Sequence, residues 1–306
     1  MAKFNLPDFV VGRPLYASIV QLQQESPEIF IPDTEIASIF GCPVNAVWNG
    51  GGMALGGNMM FKQEVKDLIE FYNYELHLPI RFTFTNSLIG EKECWDSYCN
   101  MLAECGHNGH NEILTSSPTL EKYLRENYPN YKFCRSIIAA GVDPLGEIDK
   151  YDLVVCRRNM NNNWDFLETI PINKRHKVEF LCTDPCPDNC PRLYTHYRDF
   201  ARGQLDFDLS APNTACSMGQ VKGPFPLHYT KTKLKTYISR EMIDKEYAPR
   251  GFSMFKLSGR GNPIGMILNV VDYMIKPEYH HDVLSIIFNK YLPRDHYFHK
   301  HELRFG

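Results

Sequence analysis

The sequence predicts an α/β protein built as a (β/α)8 barrel of the TIM type, irregular or incomplete in places, and three observations carry that prediction. Short runs rich in β-branched and aromatic residues alternate with longer runs whose apolar positions recur at helical spacing, the pattern of strands followed by crossover helices. Eight such strand-like runs can be counted, the number that closes a parallel sheet on itself. With 306 residues, 43% of them apolar, the chain is long enough to build one substantial core. A doubly wound open sheet is the competing architecture, because the link over residues 139–150 holds at most a short helix.

Residues 1–40 hold a helix over 15–24 and read as an N-terminal cover, followed by a barrel domain over 41–276 and a helical tail over 277–306. The first strand is placed at 45–49, closed by Gly50, Gly51 and Gly52, and the helix over 61–75 carries Val65, Leu68, Ile69 and Tyr72 on one face. A strand over 81–85 precedes a helix over 92–105. The strand over 112–115 leads to Ser117 and Pro118, a capping residue followed by the imino acid suited to a first helical position. Strands over 132–137 and 151–156 follow, then a helix near 164–170, a strand over 178–182 and a helix over 191–202. Residues 203–223 form a long polar excursion of a kind that is often functional. The last elements are strands over 227–230 and 251–257 and helices over 240–247 and 263–274.

Charge and targeting signals exclude several classes. The formal net charge is −3, and Lys and Arg are scattered, so no surface for avid duplex nucleic-acid binding is expected. No apolar run of membrane-spanning length and no signal-peptide core is visible, which predicts a cytoplasmic protein with no membrane partner. The ten cysteines are then expected as reduced thiols or ligands, with Cys42, Cys134 and Cys156 as buried structural thiols.

Catalytic groups of a parallel barrel come from the C-terminal ends of its strands. The exits hold Asn49, Arg157 with Arg158, Asp184 with the cysteines, His228, and the run from Lys256 to Arg260. Three thiols fall within nine residues at one exit, Cys182-x3-Cys186-x3-Cys190, among Pro185, Pro187 and Pro191, with Cys216 further on. Soft ligands at this spacing suit an iron–sulfur cluster or zinc. The run over 256–263 places Ser258, Gly259, Gly261 and Arg260 before a helix and is a candidate anion site, with an ordinary capped turn as the alternative. His228 is either a general base or a hydrogen-bonded core histidine. His107 and His110 belong at the opposite face of a barrel, and His296, His299 and His301 read as a solvated end.

The stretch from Val178 to Cys190, together with residues 238–244 and 251–260, resembles the collagenase-like peptidase U32 family. The resemblance lies mainly in residues 150–276. It implies a barrel-like fold and, by analogy with members understood as oxygen-independent hydroxylases of RNA bases or quinone precursors, a [4Fe-4S] cluster. It also implies Cys186 and Cys190 as cluster ligands, with Lys256, Gly259 and Arg260 matching a later motif in which Ser258 stands where the family has glutamate. Cys216 would follow as a third ligand, with either Cys182 as a fourth or one iron left open. The expectation is therefore a redox enzyme acting on a small molecule or RNA base, its substrate anchored by Lys256 and Arg260. The rivals are a non-catalytic interaction or assembly barrel with zinc or reduced thiols, and a peptidase, for which no nucleophile, base and orienting group can be named together.

Overall fold

The computed structural model describes residues 1–50, 60–138, 144–184, 186, 190–208, 234–259 and 263–291. Its strands are β1 (Ala2–Pro7), β2 (Thr34–Gly41), β3 (Ile80–Phe84), β4 (Glu112–Thr115), β5 (Lys132–Arg135), β6 (Leu153–Val155), β7 (Val178–Leu181) and β8 (Met254–Lys256). They form a closed barrel in sequence order, parallel throughout, with β8 pairing back to β1. The helices are α1 (Arg13–Glu25), α2 (Lys62–Glu70), α3 (Ser97–Gly106), α4 (Pro118–Asn127), α5 (Trp164–Leu167), α6 (Leu193–Asp206), α7 (Arg240–Met242), α8 (Pro263–Met274) and α9 (His280–Tyr291).

Local chemistry sets several of these boundaries. Ser117 Oγ accepts the Leu120 amide at 3.2 Å and Pro118 opens α4, as the sequence predicts. The Asp96 carboxylate accepts the Cys99 amide at 2.8 Å to start α3. Between β5 and β6 the described chain holds a single 3-10 turn, Pro144–Glu147, in keeping with the weak helix signal there.

One expected strand is absent from the described structure. Residues 45–49 are not a strand: Pro43 cannot donate to a ladder, and the chain folds into turns in which Ala46 N–H donates to Pro43 O and Asn49 N–H to Ala46 O. The strand expected over 227–230 lies outside the described residues. The true first pair, β1 and β2, sits in the segment read as a cover, so a division at residue 40 would cut through β2. Their inward positions, Asn5 and Ser38, are polar, which hid the alternation of an apolar inner face. At the other end, α9 buries Val283 and Ile287 in the main core. The C-terminal histidines 296, 299 and 301 lie outside the described residues.

Side chains alternate between shell and lumen. Phe4, Phe255 and Phe180, in register on β1, β8 and β7, face outward and meet Tyr273 of α8 and Tyr247 beyond α7. The lumen is divided. On one side Leu114, Cys134, Leu153 and Val155 form an apolar cluster with Leu181 and Met254. On the other, Asn5, Ser38, Arg81 and Glu179 are fully buried polar groups. Arg81 Nη1 reaches Glu179 Oε2 at 2.5 Å, from β3 to the opposite strand β7, and its Nε reaches Glu112 Oε2 at 2.6 Å. Asn5 Nδ2 donates to the same Glu179 oxygen, and Ser38 Oγ donates to Asn5 Oδ1 at 2.5 Å. Burial opposes the Arg81 charge, but Cys134, Glu112 and Glu179 outweigh it and push its pKa up.

Removing one partner of such a pair leaves a buried charge uncompensated, whereas replacing both with hydrocarbon does not. Glu179→Leu is expected to lower unfolding free energy by about 3–5 kcal/mol. Arg81→Met with Glu179→Leu should recover most of that loss. Urea denaturation followed by circular dichroism checks it, and a double variant no more stable than the single one would overturn it.

Candidate functional site at the barrel mouth

The C-terminal ends of the strands converge on a mouth that is bridged by α6. This helix follows the β7 exit, yet Gln204 Nε2 donates to Val44 O at 2.5 Å after β2, and Ala201 O accepts Asn86 Nδ2 at 3.0 Å after β3. Because β3 lies opposite β7 in the ring, the helix crosses the opening. Tyr197 on its underside packs against the apolar lumen cluster. The conventional place between β7 and β8 in the outer layer is taken instead by Ile243 and Tyr247, both fully buried in the shell.

Beneath the start of α6, the exits of β6 and β7 build a polar corner. Arg158, 2% exposed, donates from Nη1 to Asp184 Oδ1 at 3.0 Å. The same carboxylate oxygen accepts the Cys186 amide at 3.0 Å, so Asp184 shapes the loop as well as holding the arginine. Burial opposes the Arg158 charge, and Asp184, Tyr197 and Cys186 outweigh it to raise its pKa. The Cys186 thiol is pushed up to about 12 by burial and then by Asp184, with Arg158 acting against both. Cys186 and Cys190 are both partly exposed.

Cys182 stands apart from this pair. Leu181 joins the lumen cluster, and its neighbour Cys182 therefore faces the shell, where it is 1% exposed within the main core. Its Sγ donates to Phe180 O at 3.7 Å, and burial pushes its pKa well up. The expectation of Cys182 as a fourth ligand does not fit this packing; it is a core thiol. Cys216 lies outside the described residues, as do His228 and Arg260. Two thiols suit iron or zinc chemically but do not complete a cluster, and no group of three or more His, Cys, Asp or Glu is arranged for a metal among the described residues.

The remaining sequence candidates split between lumen and loops. Lys256 ends β8 with Nζ 3.9 Å from the Phe40 ring centroid, inside the barrel just below the mouth. Ser258 N–H donates to Thr183 Oγ1 at 2.8 Å, and its carbonyl accepts Asn269 Nδ2 of α8 at 2.7 Å. Gly259 has φ +134°, a conformation that L side chains rarely adopt. The two residues follow the end of β8. Asn49 Oδ1 accepts Thr83 Oγ1 at 3.0 Å, which ties the loop after β2 to β3. Away from the mouth, His107 Nε2 accepts the Asn130 amide at 3.0 Å between α3 and β4, and His110 is exposed, consistent with their expected place at the opposite face.

Fold and polar rim together define a (β/α)8 barrel whose candidate site is its covered C-terminal mouth. No family model and no curated protein sequence matches the chain. Among solved structures it is similar to the U32 peptidase Mk0906, with a TM-score of 0.52 at 12% identity, over 86% of this chain and 95% of that one. At that identity the likeness is one of fold, and it supports at that level the resemblance read from the sequence.

A thiol held protonated alkylates slowly until the pH approaches its pKa. Iodoacetamide labelling of Cys186, followed by peptide mass spectrometry, should accelerate about tenfold per pH unit from pH 8 towards pH 12. Asp184→Asn, which removes a neighbouring negative charge, should speed labelling at pH 8. Labelling already maximal at pH 8 would contradict this account.

Proposed function

We propose that the chain is a U32-like barrel enzyme that works at its C-terminal mouth, with Cys186, Cys190 and Cys216 as donors to an iron–sulfur cluster and an oxygen-independent hydroxylation or related redox step as its reaction. The observation that carries this reading is the position of Cys186 and Cys190. Both are partly exposed at the β7 exit, where parallel barrels keep their chemistry. When bound, the cluster would supply a centre for electron transfer or for polarising a substrate oxygen.

The chain's own residues have separable roles. Asp184 fixes the loop that carries Cys186 and holds Arg158 in place. Lys256 brings a cation to the lumen side of the mouth, and Arg260 adds a second anchor for an anionic or electron-rich substrate such as a small acid or an RNA base. His228 is the proposed proton-transfer group. Helix α6, with Tyr197 beneath it, keeps water from the mouth.

The covering of the mouth by α6 also favours a second reading, a non-catalytic assembly barrel with zinc or reduced thiols. Metal analysis separates the two. After anaerobic purification and reconstitution, iron and sulfide should bind at cluster stoichiometry with the visible absorbance of a thiolate-ligated cluster. Cys186→Ala and Cys190→Ala should abolish that absorbance, whereas Cys182→Ala should retain it. Zinc at one equivalent with no reconstitutable iron would favour the assembly reading, and loss of iron in Cys182→Ala with the fold intact would refute the ligand assignment.

A further inference from the structure

We propose that Arg158 is the receptor for an oxyanion, a carboxylate or a phosphate group, bound between the β6 and β7 exits and α6. Arg158 is almost fully buried; its Nη1 donates to Asp184, and the Cys186 thiol is a further neighbour of the guanidinium. Nε and Nη2 are buried and have no hydrogen-bond partner among the described residues. In a guanidinium these two nitrogens carry parallel N–H bonds on the edge that grips carboxylate or phosphate in bidentate fashion. Asp184 therefore occupies one end of the group and leaves the Nε–Nη2 edge buried without an acceptor among the described residues.

Arg81, inside the lumen, lacks a partner at Nη2 alone, so the unmatched Nε and Nη2 pair sets Arg158 apart from it. Arg175, also buried, donates from Nε, Nη1 and Nη2 to the carbonyls of Ile170, Arg250 and Glu168. It closes loops with all three of its nitrogens donating. Buried N–H groups on a cation are expensive to leave unmatched, so an open fork beside a mouth calls for an acceptor from outside the described chain. Asp184 and Cys186 flank the guanidinium from the β7 exit and Tyr197 from α6, so an anion there would lie beside the thiol loop and under the helix.

The inference shares with the proposed function only its location. Binding is read on iron-free protein, so a cluster that fails to form leaves this test standing, and a failed anion titration leaves the cluster test standing. Isothermal titration calorimetry of the full chain with inorganic phosphate and with succinate, at constant ionic strength in chloride, should give saturable binding of at least one. The tighter of the two identifies the source chemistry. Arg158→Lys, which keeps the charge and loses the fork, should weaken binding about tenfold or more with circular dichroism unchanged. Should that variant not fold, Asp184→Asn carries the test: removal of the competing carboxylate should leave binding at least as tight as in the wild type. No saturable heat with either anion, equal affinity in a folded Arg158→Lys, or loss of binding in a folded Asp184→Asn would each overturn the proposal.

Discussion

The contact on which the rest of the barrel depends is the ion pair between Arg81 and Glu179. It joins strands that face each other across the ring, so it spans the lumen instead of stapling neighbours. Two buried charges are tolerable only together; Glu112 and Asn5 add hydrogen bonds to the pair and Ser38 holds Asn5, while Arg81 Nη2 and Glu179 Oε1 have no partner among the described residues. The polar side of the lumen forces the apolar filling to the other side, where Leu114, Cys134, Leu153 and Val155 gather. That division in turn decides where Tyr197 can insert from above.

The same diameter is spanned twice. Inside, the carboxylate on β7 meets the guanidinium on β3. Over the mouth, α6 leaves the β7 exit and reaches the loops after β2 and β3. The mouth's centre is occupied by a helix and an aromatic ring, and at its rim Arg158, Asp184 and Cys186 form a polar corner among the described residues.

Much of this was legible in the sequence. The strand and helix rhythm over residues 80–182 and again over 251–274, the Ser117–Pro118 helix start and the exit positions of Asp184 and Cys186 follow from local chemistry. The first two strands were not legible, because a lumen lined by Asn5 and Ser38 erases the apolar alternation that announces a strand, and the short run of Ala46, Val47 and Trp48 imitated one. The thiol spacing was visible, but not that one step along β7 turns Cys182 into the shell. Nor could spacing tell that α6 lies across the opening: the apolar positions Leu193, Tyr197, Phe200 and Ala201 predict a helix with a buried face, not which surface that face covers. Arg81 and Glu179 become informative only as partners ninety-eight positions apart.

The wall of the barrel is uneven, and that has a consequence for opening. β6 has three residues, and its seams to β5 and β7 each contain two paired positions, against four between β3 and β4. Few ladder bonds hold this arc, so it should yield to thermal fluctuation before the thicker β1–β4 arc does. The same arc carries Arg158 and Asp184 at its upper edge. Admission of a guest beneath a fixed crossbar therefore need not lift the crossbar: the thin side of the ring can give way outward while the cross-lumen tie keeps the far side in register.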